Sequence, residues 1–142
     1  MKALLTVGLS VEAIESLRDL LAREEWEVLS AAGWMQVFLR LRERSYHAVV
    51  CEASLPDGDW RDALDELWVC TNPPPFIVTS RLADSHLWAE VLAAGGYDVA
   101  PYPIEAGELR RVLEQAGSRK RARGASSPHA LVPAAGFYKR AS

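Results

Sequence analysis

Tyr46-His47-Ala48-Val49-Val50-Cys51-Glu52-Ala53-Ser54-Leu55-Pro56-Asp57-Gly58-Asp59-Trp60 decides how the chain folds. His47 to Cys51 is short, β-branched and apolar without alternation. That pattern predicts a strand covered on both faces, as in a parallel sheet. Glu52 stands at the strand's carboxyl end, where open α/β sheets place their ligand sites. The Pro56/Gly58 turn then leads into a helix starting at Asp59 or Trp60.

The flanking sequence repeats that alternation. Ala3–Val7 predicts a first strand, stopped by Gly8. Ser10 caps a helix whose apolar face is Ile14, Leu17, Leu20 and Leu21, running to about Arg23. Trp26–Leu29 is the second strand, and Val37, Phe38 and Leu41 face inward from a second helix ending near Arg44. The third helix places Leu64, Leu67 and Trp68 at core spacing and stops before Pro73-Pro74-Pro75. Phe76–Thr79 is the fourth strand. A fourth helix capped by Asp84 buries Leu87 and Val91 and ends at Gly95-Gly96. Tyr97–Ala100 is the fifth strand, and Glu105–Gln115 the last helix, ended by Gly117. Five strands alternating with five helices predict an α/β fold: a doubly wound, five-stranded parallel sheet flanked by helices.

Composition sets the wider bounds. The 142 residues are 49% hydrophobic and 25% charged, the profile of one globular domain. No apolar run reaches membrane-spanning length and no signal-peptide pattern opens the chain, so a cytoplasmic protein without membrane contact is expected. Cys51 and Cys70 are too few for a disulfide framework. The net charge of −3 is uneven: all 19 acidic residues precede Gly117, whereas six of the 16 Lys/Arg follow it. The expected division is a domain over 1–117 and a basic, disordered tail over 118–142. Arg119, Lys120, Arg121 and Arg123 are the tail's nucleic-acid candidates, though four charges give only weak, salt-sensitive binding.

The pattern from Ala3 to Gly117 resembles the receiver domain of two-component response regulators, which has a flavodoxin-like fold. The resemblance is carried by Glu52-Ala53-Ser54-Leu55-Pro56-Asp57-Gly58, Ile77-Val78-Thr79-Ser80, Ala93-Ala94-Gly95-Gly96-Tyr97-Asp98 and Pro103. It implies a phospho-accepting Asp at the third strand's end and a Mg²⁺ held by further carboxylates. It also implies a Thr/Ser after the fourth strand and a Lys after the fifth. Here the acceptor position is Glu52, the acidic pair falls on Gly8 and Leu9, and the Lys falls on Tyr102, before Pro103. Thr79 is retained, and the family's switch aromatic falls on Val99. No acid lies between Met1 and Val11, so no metal, cofactor or acyl-phosphate chemistry is expected.

The resulting expectation is a bacterial pseudo-receiver: a non-enzymatic, phosphorylation-independent interaction module in two-component-type signalling. Its partner, a regulatory protein or a second copy, would meet the fourth-helix/fifth-strand/fifth-helix face at Leu87, Trp88, Val91, Val99 and Tyr102. Trp60 is a second contact candidate, while Trp26 and Trp68 are assigned to the core. Alternatives are Glu52 as a constitutive mimic of phospho-Asp, Asp57 as a substitute acceptor, and a nucleic-acid-associated regulator using the basic tail. Arg81 is a candidate stand-in for the missing Lys.

Overall fold

A computed structural model describes residues 2–121. Its main strands are β1 (Lys2–Val7), β2 (Trp26–Ala31), β3 (Ala48–Glu52), β6 (Phe76–Ser80) and β7 (Asp98–Pro101). A two-residue ribbon, β4 (Ser54–Leu55) with β5 (Gly58–Asp59), makes an antiparallel hairpin of the Pro56 turn. The helices are α1 (Val11–Leu21), α2 (Val37–Glu43), α3 (Trp60–Leu67), α4 (Ser85–Ala94) and α5 (Ala106–Arg121). Short 3-10 turns over Ala22–Glu24 and Trp34–Gln36 adjoin α1 and α2.

The five main strands form one parallel sheet in the order β2-β1-β3-β6-β7. Order reverses at β1, so the crevice between the ends of β1 and β3 is the switch point where such sheets bind ligands. Consecutive strand residues face opposite layers, and both layers are dry. Leu5, Val49, Cys51 and Val78 pack with Val37, Leu64 and Val91 of α2, α3 and α4. Leu4, Val50 and Ile77 pack with Leu17, Leu21, Leu109 and Val112 of α1 and α5. This two-sided burial is why the strands read as unbroken apolar runs.

The helix starts follow their caps. Ser10 accepts from the Ala13 N–H and Asp84 from that of Leu87. Asp59 and Asp62 form a reciprocal capping box at α3.

Several sequence expectations are corrected. The last helix continues through Gly117 to Arg121, because one glycine costs a helix only about 1 kcal/mol. The expected boundary at 117/118 therefore falls inside α5. Residues 122–142, Arg123 among them, lie outside the described residues, as do the side chains of Arg119, Lys120 and Arg121. Phe38 turns outward, since Val37 and Leu41 already take the inward phase of the short α2. Trp68 sits just past the end of α3, so helical phase does not apply to it; it is 53% exposed and lies over Gly95. Trp60 is buried instead of offered to a partner, with the Arg61 guanidinium 4.6 Å from its ring centroid. Trp26 packs half-buried at the edge of the α1/α5 layer, edge-on to His47.

Candidate functional site

Glu52 ends β3, in register with Thr79 on β6, and its neighbour Cys51 is in register with Val7 on β1. Gly8 follows Val7 directly, and its N–H donates to the Ala31 carbonyl at 2.9 Å. The turn there has φ of 78°, a conformation that suits glycine. A Cβ on Gly8 would lie 3.5 Å from the Glu52 Cβ but only 2.4 Å from Leu55 Cδ2. A side chain at position 8 would therefore have to displace the end of the Leu55 side chain, which the β4–β5 ribbon carries. Leu9 packs half-buried against the α1/α5 layer.

The Glu52 carboxylate is half-buried and makes no hydrogen bond or ion pair within 4 Å among the described residues. Burial raises its pKa above the ordinary Glu value, while the Arg81 charge pulls the other way. The Arg81 guanidinium stands over the Tyr102 ring, 5.0 Å from its centroid. Tyr102 is placed by its N–H, which donates to the Ser80 carbonyl at 3.0 Å, and the Tyr102–Pro103 peptide is cis. Its phenol makes no hydrogen bond to Glu52. The cation facing Glu52 comes instead from the loop after β6, two residues beyond Thr79.

Thr79 is fully buried and its hydroxyl has no hydrogen-bond partner among the described residues. The turn after β6 is capped by the next residue: Ser80 Oγ accepts from the Leu82 N–H at 3.0 Å. Asp57 is fully engaged elsewhere. Its two carboxylate oxygens accept from the backbone N–H groups of Trp34 at 3.1 Å and Met35 at 3.2 Å. Its own carbonyl accepts from Trp34 Nε1 at 2.6 Å. A carboxylate capping a helical turn in this way is poorly placed as a nucleophile. Sequence reasoning missed both roles. Ser80 had a local signal, a serine two residues before the N–H it receives; the Asp57 clamp spans 23 residues and had none.

The proposed partner residues divide by burial. Val91 and Val99 are 0% and 1% exposed, so they support the α4/β7 surface from beneath and no partner reaches them. The reason is geometric: Val99 and Val91 both face the α2/α3/α4 layer. Leu87 and Trp88 are half-buried against that core, and Tyr102 is half-buried. The outward positions around them are Arg81, Leu82, His86, Ala89, Ala93, Pro101 and Pro103, with Leu82 79% exposed.

Solved structures share this fold. One is a response regulator receiver domain protein from Clostridium thermocellum, with a TM-score of 0.76 at 19% identity over 86% of this chain and 98% of that one. The fold is that of a receiver domain. The beryllofluoride-activated NtrC4 receiver domain dimer has a TM-score of 0.77 at 18% identity, over 84% of this chain and 99% of that chain. The receiver domain of sensor histidine kinase PA1611 from Pseudomonas aeruginosa PAO1, with a magnesium ion coordinated in its active-site cleft, gives 0.69 at 21%, over 82% and 98%. No protein-family model and no curated protein matches the sequence.

The residues present do not fit a Mg²⁺ ion at the receiver position. Gly8 and Leu9 offer no carboxylate, a side chain at position 8 would have to displace Leu55, and among the described residues Glu52 is the one acid within β1, β3 and the two residues after β1. Among the described residues, no group of three or more His, Cys, Asp or Glu could hold a metal. A hard divalent cation needs an octahedral or larger oxygen shell, far more than one carboxylate supplies.

The pH dependence follows from the raised pKa of Glu52. The folded state binds this proton more tightly than the unfolded chain, so stability falls as pH rises from the ordinary Glu value of 4.5 through the higher folded value. Glu52→Gln therefore melts higher than wild type at pH 7, and the difference closes below pH 4.5. Solvent screening of this half-exposed group keeps the gain under about 1 kcal/mol. Thermal unfolding of the two proteins from pH 3 to 8 checks this; a constant difference across that range contradicts it.

Proposed function

We propose that this receiver-fold chain is a protein-interaction module in two-component-type signal transduction, working without phosphorylation of Glu52. The observation that supports the reading is the strand end itself: Gly8 and Leu9 follow β1 and supply no carboxylate beside Glu52, and a Cβ on Gly8 would meet Leu55 Cδ2. Phosphoryl transfer to a carboxylate depends on cations that neutralise charge on the transferred oxygens. Arg81 is one such charge, and Tyr102 replaces the expected ammonium with a neutral ring. The module is read as non-enzymatic, since receiver domains generally act by presenting a surface.

The surface proposed is the α4/β7/α5 face. Its contacts are Leu82, Arg81 on its Tyr102 platform, and the small residues Ala89 and Ala93, with either a regulatory protein or a second copy as the partner. Arginine, tyrosine and exposed apolar groups are what contact hot spots are made of. The NtrC4 structure, a receiver dimer, supports self-association as one form of this reading. A second reading, Glu52 as a permanent stand-in for phospho-Asp, is favoured by the Arg81 charge acting on it. A carboxylate carries less charge and fewer acceptor oxygens than a phosphate, which weakens that reading.

The deciding experiment treats the protein with Mg²⁺ and acetyl phosphate. The expected result is no heat of Mg²⁺ binding at submillimolar concentration and no added phosphoryl mass. A phosphoryl group that appears in wild type and is lost in Glu52→Ala overturns the proposal.

A further inference from the structure

Trp68 is the one exposed tryptophan among the described residues. It directly follows α3, and its ring lies over Gly95, the residue that ends α4. A Cβ on Gly95 would stand 2.6 Å from the ring's Cζ2, so the ring covers the end of α4 closely. Val69 beside it is 65% exposed. The C-terminal ends of α3 and α4 therefore meet under an apolar surface that the core does not use.

The charge at this place is one-sided. A helix C-terminus carries partial negative charge and favours basic residues in its last turn. Arg18 stands there in α1, and Arg40 and Arg42 in α2, whereas α3 and α4 have none. Asp65 and Glu66 occupy the last turn of α3 instead, and their carboxylates make no hydrogen bond or ion pair among the described residues. Arg81 is the only Lys or Arg between Asp62 and Leu109, against eight Asp and Glu. It follows the carboxyl end of β6, whereas Trp68 precedes that strand, so the two lie at opposite ends of the sheet.

We propose that this surface is the docking site for Phe137-Tyr138-Lys139-Arg140 of the same chain, a segment outside the described residues. Its two aromatic side chains pack on Trp68 and Val69, and its two cations meet Asp65, Glu66 and the indole face. The segment thus joins the apolar contact to the positive charge that the ends of α3 and α4 lack. Its point of departure is also right. Helices that connect parallel strands run back against them, and α5 follows β7 in the same sense. Its last residue, Arg121, therefore lies at the same end of the sheet as Trp68 and Gly95. The 15 residues between Arg121 and Phe137 extend to about 50 Å. A domain of this size is about 35 Å across, so the segment reaches the site within its own chain. The contact lies away from Glu52 and does not depend on the signalling reading.

The test is nuclear Overhauser spectroscopy on the full chain. The expected result is cross-peaks between the Trp68 indole protons and the rings of Phe137 and Tyr138, with intensities that do not change on dilution. Asp65→Asn/Glu66→Gln, which touches no core residue, weakens them roughly twofold or more, and so does about 1 M salt, where the screening length falls to about 3 Å. Trypsin cleavage after Lys139 and Arg140 gives a second readout, because it follows the fraction of undocked segment. It runs about threefold or more faster in Trp68→Ala than in wild type. Absent cross-peaks overturn the proposal, and so do equal cleavage rates in wild type and Trp68→Ala. Cross-peaks that arise only between isotope-labelled and unlabelled chains also overturn it, in favour of a second copy. If Trp68→Ala fails to fold, the Asp65→Asn/Glu66→Gln variant carries both readouts, and unchanged cross-peaks and cleavage there overturn the proposal.

Discussion

Replacing Gly8 by Asp lowers the melting temperature by roughly 10 °C, a cost of about 3 kcal/mol. Two effects add. A non-glycine residue at φ of 78° is strained by about 1 kcal/mol, even for Asp, which tolerates this region better than most. The new Cβ would also stand 2.4 Å from Leu55 Cδ2, so Leu55 must leave its rotamer or the β4–β5 ribbon must shift, typically costing about 1–3 kcal/mol. The measurement that isolates the collision is a double-mutant cycle with Leu55→Ala. Leu55 is nearly buried, so its truncation is destabilising by itself. Once the methyl groups are gone, however, the Gly8→Asp penalty shrinks by more than about 1 kcal/mol. Strict additivity would show that Leu55 does not occupy the crevice. The cycle matters for function because the same contact is what denies the strand ends a metal-binding side chain.

Asp57→Ala costs about 2 kcal/mol, or some 6–8 °C in melting temperature. The carboxylate satisfies two backbone donors, Trp34 N–H and Met35 N–H, at the start of the turn leading into α2. Its loss frees both and weakens the tie between the loop after β3 and the loop after β2. Gly33 shows how tight that tie is: a Cβ there would lie 2.4 Å from Asp57 Oδ1. Asp57→Asn keeps one acceptor oxygen and loses about half as much. Chemical denaturation of the three proteins reads the order directly; equal stability of wild type and Asp57→Ala would remove the clamp from the account. The clamp also argues against Asp57 as an alternative phosphoryl acceptor, because its oxygens are already committed to the backbone.

The Arg81 charge acts on Glu52 without an ion pair and so links the strand end to the outer face. Arg81 attracts Glu52 and stacks on Tyr102, so the charge at the end of β3 bears on a residue of the proposed contact surface. In this chain a fixed cation–aromatic contact stands where the receiver resemblance led one to expect an ammonium. A partner that binds over Tyr102 would meet Arg81 already oriented, which lowers the entropy lost on association.

What the sequence determined by itself is the part of the protein written in local pattern. Largely apolar runs at Ala3–Val7, Ala48–Cys51 and Phe76–Val78 specified strands buried on both faces. Ser10, Asp59 and Asp84 specified helix starts, and no acid stands before Val11. These are legible because caps, periodicity and residue chemistry act within a few positions along the chain.

The tertiary structure alone decided where side chains point when their partners are remote in sequence. Leu55 over Gly8, Asp57 on Trp34 and Met35, and Arg81 on Tyr102 each join segments brought together only by the fold. The same fold hid Val91 and Val99 beneath the face they were expected to form, because both point into the layer shared with α2 and α3. Helical phase could not say that Trp68 lies past its helix, nor that α5 continues through Gly117. A period places a residue on one face of its own element, and only the packing of elements says whether that face meets a neighbour or solvent.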